Sequence, residues 1–132
     1  MRRVLAAALG LAMLFAAVTL VALEGGEVVV LRTVDEHGAQ RDTRTWVADE
    51  AGAAWIEAAN ADRPFLRHLQ ATPDVQLHRA GVWRPCRGAE VSNPVGHERI
   101  RRLLAAKYGW KDRWIGLLAD TSDSRAVRLD CP

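Results

Sequence analysis

The sequence lacks the short motifs that mark most catalytic and metal centres. It has no glycine-rich phosphate loop, no HExxH pair and no CxxC pair among its 132 residues. Its two cysteines, Cys86 and Cys131, are too few and too far apart to form a compact zinc site. The four histidines are scattered, so they predict no metal centre, and we expect each on the surface or in a turn. They are His37, His68, His78 and His97.

Charge of one sign is also scarce. The formal net charge is +2 at pH 7, from 18 basic and 16 acidic side chains. Domains that bind nucleic acid usually carry a clear basic excess, so this balance predicts no nucleic-acid partner. The length suits one folded domain, and no internal repeat or low-complexity segment divides it.

One long apolar run stands at the N-terminus. Val4–Leu23 contains twenty residues without a charge or a proline, and Arg2 and Arg3 precede it. As a helix it would span about 30 Å, the thickness of the hydrocarbon core of a bilayer. A cleaved signal peptide and a retained anchor both fit this pattern. We favour the anchor, because signal cores usually have about 7–15 apolar residues and no small-residue pair marks a cleavage site here.

The two arginines also predict an orientation. Basic residues beside a membrane span tend to stay on the cytoplasmic side. We therefore expect a single-pass protein with its N-terminus in the cytoplasm, residues 1–24 as the anchor and residues 25–132 as one domain on the outer face. Membrane lipid is then a partner, and Glu24-Gly25-Gly26 is expected to be a short flexible joint.

Beyond the anchor, short β-branched or alternating segments separated by turns predict strands. These are Val28–Thr33, Thr43–Val47, Ala53–Glu57, a segment around Val75–Leu77, Val82–Val91 and Ser124–Asp130. Helices are predicted after Asp62-Arg63-Pro64, with Asp62 as the cap, after Asn93-Pro94, and over Lys111–Leu118. Strands joined by short turns pair antiparallel, and six of them hide their edges best by closing into a small barrel. The predicted fold class is therefore α+β, mainly β.

Five tryptophans are many for a chain of this length. They are Trp46, Trp55, Trp83, Trp110 and Trp114. Packing in the core is the usual role of a tryptophan. For Trp46 and Trp110 we also consider a sharper role, as a flat aromatic wall beside a ring-shaped ligand.

The segment Ala59–Pro64 joins a predicted strand to the N-terminus of a predicted helix. Backbone N–H groups at such a terminus attract anions, and Arg63 adds a planar cationic fork. Asn60 supplies an amide donor. The segment is a candidate phosphate cradle, and the alternative is a capped helix with a solvated arginine.

The stretch from residue 59 to residue 77, ANADRPFLRHLQATPDVQL, resembles a region of the flavin-binding split-barrel superfamily. In that superfamily a strand ends in a phosphate-binding loop, and a helix with the pattern L-x-x-x-P-x-V-x-L leads into the next strand. The phrase AAKYGWKDR at residues 105–113 resembles a recurring element of small bacterial members. The resemblance extends from Glu27 to the C-terminus. The superfamily includes pyridoxamine 5′-phosphate oxidase-like proteins and deazaflavin-dependent nitroreductases.

This resemblance implies a six-stranded antiparallel split barrel that holds FMN or a deazaflavin. It implies an oxidoreductase of the nitroreductase or quinone-reductase type, acting on a small molecule. Asn60 and Arg63 would contact the cofactor phosphate, and Arg44 and Trp46 would line its ring or ribityl side. Such proteins often dimerise with the site at the subunit interface, so a homodimer is implied as well.

A second function remains open, that of a cofactor-free binding or structural module of the cell envelope. An anchored domain on the outer face favours it, and so does the acidic Asp62, which is unfavourable beside a phosphate. A disulfide between Cys86 and Cys131 would favour it too, because disulfides persist in oxidising compartments. In the cytoplasm the same two thiols are expected to be free.

Overall fold

The computed structural model describes residues 1–132 as four helices and six strands. The helices are α1 (Arg2–Glu24), α2 (Pro64–Ala71), α3 (Val95–Tyr108) and α4 (Trp110–Leu118). The strands are β1 (Val28–Val34), β2 (Gln40–Glu50), β3 (Ala53–Ala58), β4 (Asp74–Arg79), β5 (Val82–Val91) and β6 (Arg125–Asp130). The predicted order of elements is confirmed throughout the chain.

The six strands close into one antiparallel barrel. Their order around the ring is β1-β2-β3-β6-β5-β4, so β1 pairs with both β2 and β4. β6 closes the opposite side between β3 and β5. The predicted α+β class and the predicted six-stranded antiparallel barrel are therefore confirmed.

Alternation along the strands decides what fills the barrel. In β1, Val29, Leu31 and Thr33 are buried while the residues between them are half-buried, as a period of two requires. The interior cluster is closed at one end by α2, and it includes Val29, Leu31, Val47, Ile56, Phe65, Leu66, Leu69, Val75, Leu77, Val127 and Leu129. A second cluster packs α3 against the outside of the barrel and includes Trp55, Ile100, Leu103, Leu104 and Tyr108.

Two of the hairpins turn through a residue pair with positive φ. Ala51 and Gly52 have φ of 52° and 77°, and Ala80 and Gly81 have φ of 51° and 77°. Two consecutive left-handed residues match the right-handed twist of a two-residue hairpin, and glycine in the second place lowers the strain. These turns fix the registers of β2 with β3 and of β4 with β5.

The start of α2 differs from the prediction. Asp62 does not cap the helix; Arg63 occupies the N-cap position without a side-chain cap bond. The Asp62 N–H instead donates to Oδ1 of Asn60 at 3.0 Å, forming a side-chain turn ahead of the helix. A residue before proline favours extended backbone, and Arg63 has φ −60° and ψ 124°, so the helix begins at Pro64.

His68 also corrects a prediction. The sequence predicts every histidine on the surface or in a turn, but His68 lies in α2 with 8% of its surface exposed. Its Nδ1 lies 2.9 Å from the buried Oγ1 of Thr33 in β1. The pair satisfies two polar groups inside an apolar end of the barrel, which no pattern in the sequence links.

Neighbouring strands bring the two cysteines together. Arg87 pairs with Asp130 across β5 and β6, so the next positions, Cys86 and Cys131, face each other. The structure joins them in a disulfide with a Cα–Cα distance of 4.2 Å, and no free cysteine remains.

The helix α1 leaves the barrel as a long apolar rod. It has 23 residues, its most apolar 18-residue window has a mean hydropathy of 2.6, and none of that window is buried. The predicted N-terminal apolar helix is confirmed. By length and composition it is able to cross a membrane, and a signal sequence shares these properties.

Candidate functional site

A cavity of about 400 Å³ opens where the end of α1 and the second half of α4 meet the barrel. Its walls come from the end of α1, the start of β1, the middle of β2, the segment from β3 into α2, and the second half of α4 together with the residues that follow it. They include Leu23, Glu24, Val28, Thr43, Arg44, Thr45, Trp46, Glu57, Ala59, Arg63, Phe65, Ile115, Ala119 and Thr121. This volume lies within the range of small-ligand sites.

The cavity brings together three of the five residues that the sequence marked as cofactor contacts. Arg44, Trp46 and Arg63 all line it. Asn60 is exposed outside the lining, and its Oδ1 accepts the N–H of Asp62. Trp110 also lies outside, at the start of α4, with 47% of its surface exposed.

Trp46 is held as a flat wall. Its indole ring stacks on the phenol ring of Tyr108, with centroids 4.4 Å apart and planes 19° apart. Its Nε1–H donates to the carbonyl oxygen of Leu23 at 3.1 Å. Both contacts fix the ring, so the pocket has a preformed aromatic surface. Trp110 has no part in this wall.

Most charges at the cavity are paired. Arg44 donates from Nη2 to Oε2 of Glu24 at 2.8 Å. Glu57 accepts two bonds of 3.1 Å from Arg101 behind the wall. Arg63 lies on the exposed lip and takes part in none of the ion pairs of the structure. Its guanidinium is therefore the cation that is free to meet an incoming anion.

Arg101 ties the wall of the cavity to α4. Besides Glu57, it makes two bonds of 2.8 and 2.7 Å to the buried carboxylate of Asp112. Burial alone would lower the pKa of Arg101, but the two carboxylates outweigh it and raise that pKa. This planar bidentate geometry favours arginine over lysine.

Tyr108 lies behind Trp46, outside the lining of the cavity, and supports the indole ring by stacking. Its hydroxyl donates toward the carbonyl oxygens of Val47 at 2.7 Å and Glu27 at 3.0 Å, and it accepts the Val47 N–H at 3.2 Å. Burial raises the pKa of this phenol to about 12, so it stays neutral at physiological pH. The sequence analysis did not connect Tyr108 with the site.

A charged cluster next to Tyr108 was not predicted from the sequence. Glu27 accepts from Nε of Arg79 at 2.5 Å and also pairs with Lys107. The two terminal nitrogens of Arg79 each donate to Asp49 at 2.7 Å. The hydrogen bond from Arg79 lowers the pKa of Glu27, although burial of the carboxylate raises it in part. Lys107 lowers the pKa further. The four residues are far apart in the chain, so only the barrel's topology identifies the cluster.

The joint between α1 and the barrel is tight, contrary to the flexible joint expected. A Cβ on Gly26 would lie 2.7 Å from Cε1 of Tyr108, so only glycine fits without a shift. Lys111 Nζ donates to the carbonyl oxygen of Gly25 at 2.6 Å. Further along, Trp114 Nε1 donates to Oγ1 of Thr19 at 3.1 Å. Close packing and four separate bonds, including those from Trp46 to Leu23 and from Arg44 to Glu24, hold α1 and its C-terminal end against the domain.

Comparison with known proteins gives fold neighbours alone. No protein-family model matches the sequence, and no curated protein matches it. Among solved structures, a candidate pyridoxamine 5′-phosphate oxidase from Listeria innocua is 12% identical, with a TM-score of 0.59 over 85% of this chain and 89% of that one. An F420 reductase is 21% identical, with a TM-score of 0.56 over 86% and 92%. A heme storage protein from Vibrio cholerae is 14% identical, with a TM-score of 0.60 over 80% and 82%.

These neighbours cover most of both chains at low identity. They bind or act on different molecules by their descriptions, so their likeness establishes architecture and not ligand. The barrel, its strand order and its helices agree with the resemblance found in the sequence. This chain has the six-stranded split-barrel fold of pyridoxamine 5′-phosphate oxidase-like proteins and F420-dependent reductases.

Proposed function

We propose that this protein is a membrane-anchored split-barrel oxidoreductase that binds FMN or a deazaflavin in the cavity beside α1. The observation that carries the proposal is the meeting of Arg44, Trp46 and Arg63 in one pocket. The resemblance found in the sequence assigns these same three residues to the cofactor, on independent grounds.

The residues present fit such a cofactor. The unpaired Arg63 stands where α2 begins, and a guanidinium beside a helix N-terminus suits a phosphate. The fixed indole of Trp46 offers a face for a planar ring. The two wall carboxylates, Glu24 and Glu57, are each paired with an arginine, so they repel an anion less than free carboxylates would.

When bound, the cofactor would supply hydride or electron transfer, and the chain would position it. Trp46 and its support from Tyr108 would orient the ring, and Arg63 would hold the anionic tail. Tyr108, with a pKa of about 12 and its hydroxyl bonded to backbone, is not placed as a proton donor to the cavity. We therefore assign no catalytic acid or base.

The proposal includes a location. α1 would cross the membrane with Arg2 and Arg3 on the cytoplasmic side, leaving residues 25–132 on the outer face. The Cys86–Cys131 disulfide supports an oxidising compartment for the domain. We also propose a homodimer, because the proteins that the sequence resembles often dimerise. The molar mass of the detergent-solubilised protein tests this.

The second candidate is an envelope module without a cofactor. The disulfide favours it, and so does the pairing of Arg44 with Glu24, which removes one cation from the pocket. In this case the cavity would bind neither FMN nor a deazaflavin. A titration with FMN and with a deazaflavin separates the two candidates.

The test is a titration of the full-length protein in detergent micelles with FMN and with a deazaflavin, followed by tryptophan fluorescence. The full chain is needed because Leu23 and Glu24 form part of the wall. Saturable quenching at low micromolar ligand supports the cofactor site. No response to either ligand from folded protein would favour the envelope module.

A pair of variants locates the anion. Arg63→Ala should weaken binding about tenfold, the value of one charge-assisted bond of about 1.4 kcal/mol. Arg67→Ala is the matched control, because Arg67 is an exposed arginine in the same helix that does not line the cavity. Equal affinity of the Arg63 variant and the wild type would contradict the phosphate assignment.

A further inference from the structure

The helix α4 leaves large apolar side chains uncovered. Leu117 is 82% exposed, Leu118 is 48% exposed and Trp110 is 47% exposed. They stand at the two ends of a nine-residue helix whose polar anchor, Asp112, points into the protein toward Arg101. Several large exposed apolar side chains on one short helix indicate a surface that lipid or another molecule covers.

This helix packs on α1. Its first turn reaches the end of α1, where Lys111 donates to the carbonyl oxygen of Gly25. One turn later Trp114 reaches Thr19 and also contacts the ring of Phe15, with centroids 5.5 Å apart. α4 therefore runs back along α1 from its end toward its middle. Phe15 lies eight residues before Leu23, about 12 Å along the helix.

We propose that α4 is a second membrane-contacting element, immersed beside α1 so that Leu117 and Leu118 touch lipid acyl chains. The proposal rests on the membrane anchoring proposed for α1. If Val4–Leu23 occupies the hydrocarbon core, a helix lying against Phe15 and Thr19 enters the same layer. The occupant of the exposed face is then the bilayer itself.

The polar groups of this contact are satisfied, as a lipid environment demands. The indole N–H of Trp114 donates to Oγ1 of Thr19, and the Thr19 hydroxyl donates to the carbonyl oxygen of Phe15 at 2.9 Å. Unsatisfied polar groups cost several kcal/mol in hydrocarbon, so this chain of bonds matters there. On a surface exposed to water, by contrast, the indole N–H of Trp114 would bond to water and would need no partner in the protein.

The other end of α4 has the composition of a membrane interface. Trp110 is half-exposed, and Lys111 and Arg113 flank it near the end of α1. Tryptophan and basic side chains concentrate at the level of the headgroups, where an amphipathic ring and a cation meet phosphates. The basic end of α4 thus faces the headgroups. Leu117 and Leu118 face the outer part of the hydrocarbon layer beside α1, because the exposed carboxylate of Asp120 follows two residues later and has to stay in contact with water.

Spin labels on the full chain test this placement. The disulfide leaves no free thiol, so a label attaches only to an introduced cysteine. Leu117→Cys reports on α4, Leu11→Cys reports on the middle of α1, and Val82→Cys reports on an exposed hairpin of the barrel. Each protein is placed in nanodiscs of phosphatidylcholine and phosphatidylglycerol. Collision rates are then measured with oxygen, which concentrates in lipid, and with a water-soluble nickel chelate.

We expect the label at position 117 to collide with oxygen more than with nickel, like the label at position 11 and unlike the label at position 82. A nickel-accessible label at 117 with a lipid-accessible label at 11 would overturn the α4 proposal while leaving the anchor intact. A label at 117 shielded from both reagents would mean that a second protein surface covers α4, which also overturns it. A nickel-accessible label at 11 would overturn the anchor itself.

Discussion

The hydroxyl oxygen of Tyr108 lies 2.7 Å from the carbonyl oxygen of Val47 and accepts the Val47 N–H at 3.2 Å. It also lies 3.0 Å from the carbonyl oxygen of Glu27. The β1–β2 pairing ends where Val28 faces Trp46, so Glu27 and Val47 would be the next pair. The hydroxyl group of Tyr108, the last residue of α3, takes the place of that missing pair and connects both strands to the helix.

Tyr108→Phe should keep the ring stacked on Trp46 and lose only the hydroxyl. The N–H of Val47 would then lack its partner, at a cost of about 1–3 kcal/mol, while the Val47 carbonyl oxygen keeps the bond from Lys107. Urea unfolding of the full chain in detergent micelles, followed by circular dichroism, measures the loss. Trp110→Phe is the control, because Trp110 is half-exposed and its change should stay within about 0.5 kcal/mol. Equal stabilities of the two variants would contradict the bridging role.

Gly26→Ala should disturb the joint between α1 and the barrel. The new Cβ would meet Tyr108 at 2.7 Å and Nε1 of Trp46 at 3.3 Å, and both rings are held by other contacts. Overpacking of this kind costs about 1–3 kcal/mol. Gly116→Ala is the control, since its Cβ meets nothing within 4 Å and alanine favours the helix by about 0.5–1 kcal/mol. We expect Gly26→Ala to lower the free energy of unfolding and Gly116→Ala to raise it.

Reduction should destabilise the barrel. The disulfide links residues 45 positions apart, and closing a loop of that length lowers the entropy of the unfolded chain, worth about 4 kcal/mol in the loop-entropy model. Dithiothreitol should therefore lower the unfolding free energy of the wild type. The double variant Cys86→Ser, Cys131→Ser should start lower and not respond to the reductant. If dithiothreitol left the unfolding free energy of the wild type unchanged, the disulfide would not form in the protein.

Stability should fall in mild acid through Glu27. The bonds from Arg79, and then Lys107, hold the pKa of Glu27 below its ordinary value of 4.5. A lowered folded pKa gives stability that is full above pH 4.5 and is lost as the pH falls through the folded value. Asp49 shares Arg79, which lowers its pKa in the same direction. Glu27→Gln should flatten the pH dependence of the unfolding free energy below pH 4.5, and an unchanged slope would contradict this role.

The succession of strands and helices was readable from the sequence because turns and apolar periods are local. Ala80-Gly81 and Asp49-Glu50-Ala51-Gly52 mark their hairpins, and the alternation in β1 marks a half-buried strand. The length of β2 was not readable. Its polar residues from Gln40 to Asp42 have no apolar pattern, and they join the strand by pairing with β1, as in the 2.7 Å ion pair of Asp42 with Arg32.

The candidate site was predicted in part. Arg44, Trp46 and Arg63 meet because they stand on elements that the split barrel brings together. Trp110 lies outside this cavity, at the start of α4, where Gly109 with a φ of 55° redirects the chain after α3. The contribution of α1 was missed because an N-terminal apolar helix is usually considered apart from the domain that follows it. Leu23 and Glu24 are part of the wall.

The position of β6 in the ring has a consequence for how the chain assembles. β6 is the last of the six strands to be synthesised, yet it pairs with β3 on one side and β5 on the other. Without β6, the other five strands would form an open sheet with two bare edges, the kind of surface on which strands of different molecules pair. Protection from aggregation therefore comes last in this fold, and it depends on one six-residue segment.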